Sequence, residues 1–284
     1  MKRLLPNTFV IGAAKCGTTS LWLYLNAHPE IAFSINKEPA FFVRPDYRDR
    51  LEWYESLFEE ASIIGEASTL YSAHPVHPDV PERIHSLVPD PKLIYMVRDP
   101  VERAVSHYVE QVSRGFENRP AAAALMDPDE SRNLYLAASS YATQVKRYLE
   151  VFPSSSLLII DQNELRDDPG ETLTRVFGFL SVDGGVPAPR EETVVRRSDK
   201  RRQFSGLGTR LRQTSVAERA LRWIWRLPPP VAIRVVGALK RPLSSPIERP
   251  ILESAEYSLL RNRFGPEADW LREHTGKPFA HWSC

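Results

Sequence analysis

Cysteine is scarce in this sequence. Its 284 residues include two, Cys16 and Cys284. One lies in a glycine-bounded loop and the other is the last residue, so they do not form a disulfide framework, and we expect a reducing, cytoplasmic setting. Long apolar runs are lacking too, since none approaches the ~20 residues that a membrane span needs. Pro6 and Asn7 interrupt the short apolar stretch near the start, so a secretory signal is not expected.

Net charge is close to zero. The 37 Lys and Arg residues are balanced by 36 Asp and Glu residues, which gives a formal net charge of +1. A general nucleic-acid binder would carry a larger positive charge, so nucleic acid is not an expected partner and any basic site must be local. Internal repeats and low-complexity tails are also absent. The shares of apolar residues, 42%, and charged residues, 26%, are those of an ordinary globular protein.

What the sequence does contain is an alternation of strand-like and helix-like segments over residues 1–180. Short apolar runs separated by helical patterns predict an α/β fold with a central parallel sheet flanked by helices. The predicted strands are Thr8–Ile11, Ile31–Phe33, Ile63–Gly65, Lys92–Val97 and Leu157–Ile160. The predicted helices are Thr18–Ala27, Pro100–Ser113, Asn133–Val151 and Gly170–Leu180. Ligands of such sheets bind at the carboxyl ends of the strands.

The last third of the chain, residues 181–284, has a different composition. A stretch rich in glycine and proline is followed by a basic segment and then by helical patterns. The last of these predicts a helix over Glu253–Thr275, with a break at Gly265-Pro266 because proline removes a helical hydrogen bond. We interpret 1–284 as one domain, in which an α/β core over 1–180 precedes a basic loop and C-terminal helices.

A glycine-bounded loop follows the first predicted strand. It runs from Gly12 to Gly17 and contains Lys15. The hydroxyl residues that come next, at the start of a helix, are Thr18, Thr19 and Ser20. Glycine lets backbone N–H groups approach an anion, and a helix N-terminus adds partial positive charge. The segment therefore predicts a P-loop-like phosphate cradle.

The loop lacks the features of two other phosphate sites. A Walker A motif ends in Gly-Lys-Ser/Thr, whereas here Gly17 is followed by Thr18 and the loop lysine is Lys15. A lysine placed this early suits a single 5′-phosphate group better than a triphosphate chain. No G-x-G-x-x-G is present, which argues against a dinucleotide site. The strand-end acid Asp99 has Arg98 beside it, where a metal ion would be repelled, so no metal is expected.

A second anion-binding motif follows the predicted strand Lys92–Val97. Arg98 comes at the strand end, and Asp99 is a natural N-cap for the next helix. Ser106 lies about two helical turns after Arg98, where it would face the same ligand group. An arginine and a hydroxyl together make a good receptor for a dianionic phosphate. The alternative is an ion pair of Arg98 with Glu66 or Asp99.

These motifs together resemble the sulfotransferases that use 3′-phosphoadenosine 5′-phosphosulfate (PAPS), of the bacterial type related to carbohydrate and heparan-type enzymes. The resemblance depends on IGAAKCGTT at 11–19 as the 5′-phosphosulfate loop and on YMVRDPVERAVSHY at 95–108 as the 3′-phosphate motif. KEPAFF at 37–42 and GEAS at 65–68 are similar to intermediate family signatures. The terminal His281-Trp282 also fits.

The resemblance implies a role for each matching residue. Lys15 would contact the phosphosulfate bridge and the leaving phosphate. The residues that would hold the 5′-phosphate are Cys16, Gly17, Thr18, Thr19 and Ser20. Arg98 and Ser106 would bind the 3′-phosphate. A late basic loop would close over that phosphate, and its candidate residues are Arg197, Lys200, Arg201 and Arg202.

Sulfuryl transfer to an alcohol needs a group that takes the proton of the acceptor. Glu38 is the first candidate, because KEPAFF resembles the stretch that holds a catalytic glutamate in heparan-type enzymes. We expect Glu38 to be buried among Phe41 and Phe42, which would raise its pKa. The alternative is a structural carboxylate paired with Lys15 or Lys37.

Two histidines, His107 and His74, are rival bases, because many cytosolic relatives use histidine. One residue departs from the family pattern. Heparan-type enzymes carry a lysine where this sequence has Ala67. That difference argues against a heparan-like acceptor, unless Lys37 supplies the second positive charge.

The acceptor is expected to be a hydroxyl of a small molecule, a sugar or a lipid. Trp223 and Trp225 would either line an apolar acceptor mouth or pack within helices, and nearby arginines fit contact with a membrane surface. We predict a sulfotransferase that needs no metal and releases adenosine 3′,5′-bisphosphate. The rival functions are a P-loop kinase that binds ATP with Mg²⁺ and a nucleotide-binding module without turnover. The sequence leaves the oligomeric state open.

Overall fold

The computed structural model of the protein describes residues 3–185, 202–204, 244–246 and 249–284. Several predictions fall outside this range and stay predictions. The residues concerned are Arg197, Lys200, Arg201, Trp223 and Trp225.

The chain divides into two compact units. The first consists of Met1–Ala104, Ala122–Val195 and Leu252–Cys284, and the second of Val105–Ala121 and Arg196–Ile251. In the second unit, strands Arg202–Phe204 and Ser244–Pro246 pair in antiparallel fashion. The first unit holds a parallel sheet. The single-domain interpretation of the sequence stays a prediction.

The parallel sheet of the first unit has five strands in the order β2-β3-β1-β4-β5. They are β1 (Thr8–Gly12), β2 (Ile31–Phe33), β3 (Ile63–Ala67), β4 (Lys92–Val97) and β5 (Leu157–Asp161). β1 is central and pairs with β3 on one side and β4 on the other. The carboxyl ends of β3, β1 and β4 therefore lie next to one another. The antiparallel strands of the second unit are β6 (Arg202–Phe204) and β7 (Ser244–Pro246).

Helices connect the strands. In chain order they are α1 (Thr18–Leu25), α2 (Leu51–Glu55), α3 (Val80–Leu87), α4 (Pro100–Arg114), α5 (Ala121–Leu125), α6 (Leu134–Ala137), α7 (Tyr141–Leu149), α8 (Gln162–Asp167), α9 (Pro169–Leu180) and α10 (Ser254–Thr275). Short 3₁₀ turns cover Phe41–Val43, Tyr47–Arg50, Thr69–Ser72 and Ser154–Ser156. Within the described ranges, no helix is both long and apolar enough to cross a membrane.

The hydrophobic core lies on both faces of the sheet. Phe9, Val10 and Ile11 of β1 and the run Leu93–Val97 of β4 are between 0 and 1% exposed. Strands buried on both faces consist of continuous apolar residues rather than alternating ones, because helices cover both sides. This pattern is what the sequence shows, and the predicted α/β fold is confirmed.

The predicted helix Asn133–Val151 is wrong in one respect, because the structure has two helices there, α6 and α7. Ser139 lies in the break and is fully buried. Its hydroxyl donates to the carbonyl oxygen of Pro100 at 2.8 Å and accepts from the Nε of Arg103 at 2.6 Å. A serine side chain that is engaged in long-range hydrogen bonds favours a turn over a continuous helix.

The predicted break at Gly265-Pro266 is also wrong, because α10 continues through it with Pro266 inside the helix. Leu260, Phe264 and Ala268 of α10 are at most 1% exposed. Their spacing of four residues places them on one helical face. The packing of that face offsets the hydrogen bond that proline removes.

Candidate active site

The loop after β1 begins with a backbone that favours glycine. Gly12 has a φ of 148°, and a Cβ atom there would lie 1.9 Å from the hydroxyl oxygen of Ser72. The N–H of Ala13 donates to the carbonyl oxygen of Met96 on β4 at 2.7 Å, which fastens the loop to the neighbouring strand. Gly17, with a φ of 86°, ends the loop as the N-cap of α1.

Three backbone N–H groups at the start of α1 are available to an anion. Those of Gly17, Thr18 and Thr19 have no hydrogen-bond acceptor in the part of the chain that the structure describes, as is usual for a first helical turn. No acidic side chain lies in this turn, so the positive potential of the helix N-terminus is not neutralised locally. The N–H of Ser20 already donates to Gly17 at 2.9 Å. The geometry fits the phosphate cradle that the sequence predicts.

Lys15 and Cys16 are adjacent in the loop but differ in exposure. Lys15 is half-buried and has a left-handed φ of 74°. Cys16 is fully buried, with its Sγ 3.6 Å from the hydroxyl of Tyr141. Burial raises the pKa of the Cys16 thiol to about 11, so the thiol is neutral and acts as a packing group. Of the two residues, only Lys15 is partly exposed to solvent.

Arg98 follows β4 at the same carboxyl edge of the sheet as the loop. The hydroxyl of Tyr141 accepts from the N–H of Arg98 at 3.3 Å and donates to its carbonyl oxygen at 2.8 Å. The guanidinium Nη2 lies 3.2 Å from Oε2 of Glu102, so its partner differs from the alternative partners that the sequence suggests. Asp99 accepts the N–H of Glu102 at 2.8 Å, which confirms the predicted N-cap of α4.

Ser106 and His107 lie on α4 in the second unit. Both are buried, at 2% and 5% exposure. The Nε2 atom of His107 is 3.1 Å from the side-chain nitrogen of Gln111. Arg202 is part of β6 in the same unit. The roles of Ser106 and Arg202 in donor binding, and of His107 in catalysis, stay predictions.

A buried arginine that is not among the predicted site residues contacts the loop. Arg103, in the first turn of α4, is 0% exposed. Its guanidinium donates to Ser139 Oγ at 2.6 Å, to the carbonyl oxygen of Tyr135 at 2.6 Å and to that of Ala14 at 3.3 Å. The last of these contacts joins α4 to the loop directly. In the sequence, Arg103 lies between Glu102 and the apolar pair Ala104-Val105, and this position was the available signal.

Glu38 lies at the carboxyl edge because its backbone is fastened to the end of β3. Its N–H donates to the carbonyl oxygen of Ala67 at 3.0 Å, and its φ is 63°. The expected burial among Phe41 and Phe42 is wrong, because the Glu38 side chain is 42% exposed. The two phenylalanines turn into the core and leave the carboxylate outside. Its Oε1 lies 2.6 Å from Nζ of Lys37, the pairing that the sequence offers as an alternative.

A fully buried carboxylate near this edge is that of Glu66 on β3, which is 0% exposed. It accepts hydrogen bonds from the hydroxyls of Tyr54 and Ser68. Burial raises its pKa to about 7. Glu66 belongs to the GEAS segment that is similar to a family signature, but only the fold shows that its side chain faces the interior. In the ranges that the structure describes, no group of three or more His, Cys, Asp or Glu residues is arranged to hold a metal ion.

A match to a protein family identifies the family to which the chain belongs. Residues 5–206 match the family described as Sulfotransferase domain. The chain belongs to the sulfotransferase domain family. The matched range of this sulfotransferase domain contains the glycine loop, Arg98 and Glu38, so the predicted resemblance is confirmed.

Two proteins from Homo sapiens are relatives of this sulfotransferase domain. Bifunctional heparan sulfate N-deacetylase/N-sulfotransferase 3 is 37% identical over 199 residues, which cover 63% of this chain and 22% of that protein. Heparan sulfate glucosamine 3-O-sulfotransferase 6 is 32% identical over 189 residues, which cover 64% of this chain and 54% of that protein. This sulfotransferase domain therefore spans about half, or less, of the length of these relatives.

A solved structure shares the fold. The crystal structure of a sulfotransferase from Alicyclobacillus acidocaldarius is 30% identical, with a TM-score of 0.58, and the match covers 67% of this chain and 88% of that one. The central parallel sheet flanked by helices is thus the architecture of the sulfotransferase family. It places the carboxyl ends of β3, β1 and β4 together in this sulfotransferase domain.

Proposed function

We propose that this domain transfers a sulfuryl group from PAPS to a hydroxyl group of a sugar. One observation supports the proposal above the others. The adjacent carboxyl ends of β3, β1 and β4 carry the Glu38 segment, the glycine loop and Arg98 respectively. These are a proton acceptor, a phosphosulfate cradle and a 3′-phosphate receptor, the groups that the reaction requires.

The donor fits the anion-binding groups of the first unit. The N–H groups of Gly17, Thr18 and Thr19 would hold the 5′-phosphate at the positive end of α1. Lys15 would lie against the bridge between phosphate and sulfate. Arg98 would bind the 3′-phosphate by exchanging its pairing with Glu102 for a stronger charge-assisted one.

The chemistry follows from these positions. The acceptor oxygen forms a bond to sulfur while the bond from sulfur to the bridging oxygen of the 5′-phosphate breaks. The electron pair of the broken bond goes to that oxygen, and Lys15 stabilises its charge. The proton of the acceptor goes to Glu38, whose partly exposed carboxylate is accessible to a substrate. Adenosine 3′,5′-bisphosphate leaves.

The sugar acceptor is proposed from the relatives. Both human relatives carry heparan sulfate in their names, and one is named for glucosamine 3-O-sulfation. This chain has Ala67 at the position where the family pattern of heparan-type enzymes has a lysine. Lys37, 2.6 Å from Glu38, would supply the positive charge there. This difference favours a sugar that is not identical to the acceptor of those relatives.

The experiment uses labelled PAPS and two matched acceptor sets. Glucosamine-containing oligosaccharides with N-acetylated amines offer only hydroxyls, and the same oligosaccharides with free amines offer both groups. We expect a sulfate on oxygen in both sets, located by mass spectrometry, and no transfer by the Lys15→Met variant. Sulfate found only on nitrogen would overturn the hydroxyl assignment. Transfer to neither set, or phosphate transfer from ATP with Mg²⁺, would overturn the proposal as a whole.

We also propose a cytoplasmic setting. The support is that Cys16 and Cys284 are both free thiols, which is usual for a reducing compartment. Fractionation of cells that make the protein, followed by immunodetection, tests this point. Recovery outside the cytoplasmic fraction would contradict it.

A further inference from the structure

The carboxylate of Glu66 is surrounded by hydroxyl groups in the interior of the first unit. The hydroxyl of Tyr54 donates to Oε2, and that of Ser68 donates to Oε1 at 2.5 Å. The hydroxyl of Tyr71 is near enough to lower the pKa of the carboxylate, against the larger effect of burial, which raises it. Hydroxyl groups thus donate hydrogen bonds to both oxygens of the Glu66 carboxylate.

Two of these hydroxyls also receive backbone N–H groups from the segment that carries Glu38. The N–H of Ala40 donates to Ser68 Oγ at 3.0 Å, and that of Phe42 donates to the Tyr71 hydroxyl oxygen at 3.3 Å. A hydroxyl has a single proton. The Ser68 and Tyr71 oxygens accept these N–H groups, so their own hydroxyl protons are free to be donated. An ionised Glu66 is the acceptor for these protons. The carboxylate therefore sets the direction of the whole network.

The segment needs this support because its backbone is unusual. Glu38 has a φ of 63° and Ala40 a φ of 51°, both left-handed and neither glycine. Such conformations cost about 1–2 kcal/mol per residue and persist where the surroundings hold them. The Glu38 N–H bond to Ala67 and the two N–H bonds to the hydroxyls beside Glu66 are the contacts that do so.

We propose that Glu66 is a positioning residue for the transfer reaction: through the hydroxyls of Ser68 and Tyr71 it fixes the left-handed backbone that presents Glu38 to the acceptor. This inference rests on the proposed role of Glu38 as the base. Glu66 itself is fully buried, so a ligand bound at the surface of the site would not contact it. Its effect should fall on the chemical step and spare donor binding, since no loop or Arg98 contact runs through it.

Among the titratable groups that face one another around Glu66, only Glu66 itself changes charge near neutral pH. The others are phenols. They are Tyr54, Tyr71 and Tyr148, and burial raises the pKa of all three phenols well above 10. When Glu66 is protonated, one of its oxygens becomes a donor that competes with the hydroxyl protons. The transfer rate of the unaltered chain should therefore rise as pH increases through about 7.

Four variants test the proposal. Glu66→Gln removes the charge, and Ser68→Ala removes one hydroxyl while keeping the carboxylate, so it carries the test if the first variant folds poorly. Glu38→Gln tests the base itself. Tyr54→Phe is the matched control, because Tyr54 bonds Glu66 but is not bonded to the backbone of the Glu38 segment.

Three measurements are made on each variant. Hydrogen–deuterium exchange reports the amides of Ala40 and Phe42, calorimetry reports the affinity for adenosine 3′,5′-bisphosphate, and labelled PAPS with a desulfated heparan sulfate oligosaccharide reports transfer. We expect Glu66→Gln and Ser68→Ala to speed amide exchange and lower kcat by about tenfold or more, as the loss of one or two hydrogen bonds implies. Bisphosphate affinity should change by less than about twofold, and Tyr54→Phe should change kcat by less than about twofold.

The results separate this inference from the proposed function. If Glu66→Gln and Ser68→Ala match Tyr54→Phe in exchange and kcat, while Glu38→Gln is inactive, then Glu66 has no positioning role and the base assignment stands. If Glu38→Gln keeps full activity, Glu38 is not the base. The proposed role of Glu66 in positioning that base is then contradicted as well. A rise in rate through pH 7 that persists in Glu66→Gln would also overturn the inference.

Discussion

The guanidinium of Arg103 lies 3.3 Å from the carbonyl oxygen of Ala14. This contact connects the first turn of α4 to the middle of the glycine loop. The buried guanidinium therefore belongs to the helix that follows Arg98 and contacts the loop that contains Lys15. The positive charge lies beneath the cradle. It adds to the potential that an anionic donor would experience there, since charges in a poorly solvated interior are weakly screened.

Replacing Arg103 with methionine should destabilise the fold. The carbonyls of Ala14 and Tyr135 and the hydroxyl of Ser139 would lose their donor in a buried site, at a cost of roughly 2–4 kcal/mol. Urea unfolding measures this cost. The control is Arg132→Met, whose side chain is 84% exposed and should change stability by less than about 1 kcal/mol. Equal midpoints for the two variants would contradict the buried network.

Replacing Gly12 with alanine should disrupt the cradle. The added Cβ would meet the Ser72 oxygen at 1.9 Å, and the φ of 148° is unfavourable for alanine. We expect a loss of roughly 2 kcal/mol or more in stability, together with weaker binding of adenosine 3′,5′-bisphosphate in calorimetry. Gly178→Ala in α9 is the matched control. Its Cβ would have no neighbour within 4 Å, so it should stabilise by about 0.5–1 kcal/mol. Normal nucleotide binding by Gly12→Ala would argue against the loop as the cradle.

Replacing Arg98 with lysine keeps the charge but removes the fork of the guanidinium. If Arg98 binds the 3′-phosphate, the affinity for adenosine 3′,5′-bisphosphate should fall about tenfold to a hundredfold. Adenosine 5′-phosphate is the matched ligand, because it lacks the 3′-phosphate and its affinity should hardly change. Calorimetric titration of both nucleotides gives the comparison. An equal loss for the two ligands would place Arg98 elsewhere on the donor.

The pH dependence of stability should report on Glu66. Its ordinary pKa is 4.5 and burial raises it to about 7. The folded state therefore binds the proton more tightly than the unfolded state, so the stability from this group is complete below pH 4.5 and is lost as pH rises to about 7. The loss amounts to roughly 3 kcal/mol. Urea unfolding between pH 5 and 8 measures it.

The comparison that isolates Glu66 is with Glu66→Gln, which cannot ionise. Over this pH range its stability should fall less than that of the unaltered chain. The control is Glu150→Gln, whose side chain is 58% exposed, and its curve should run parallel to that of the unaltered chain. Parallel curves for Glu66→Gln as well would show that Glu66 does not titrate in this range.

Much of the fold could be predicted from the sequence because its signals are local. The boundaries Ile31–Phe33 and Lys92–Val97 are predicted to the residue, since a parallel strand buried on both faces shows as an apolar run between breaks. The end of α10 at Thr275 could be predicted as well. Its continuity through Pro266 could not be predicted, because the packing of Phe264 and Ala268 outweighs the local preference of proline for ending a helix.

The candidate site divides in the same way. The glycine loop and Arg98 follow directly from motifs, because a left-handed glycine and a strand-end arginine are properties of a few consecutive residues. Burial was harder to predict. Glu38 was expected in the interior and lies 42% exposed, while Glu66 is buried. Exposure depends on which elements cover a residue, and those elements come from distant parts of the chain.

By itself, the sequence determined the α/β class, the two motifs that are predicted to bind anions and the family resemblance that the family match confirms. Only the tertiary structure decided that Arg103 contacts the loop and that Ser68 and Tyr71 accept backbone N–H groups from the Glu38 segment. The physical reason is the range of the interactions. Strand and turn propensities act over a few residues, whereas burial and hydrogen-bond networks join residues that the fold alone brings within 3 Å or so of one another.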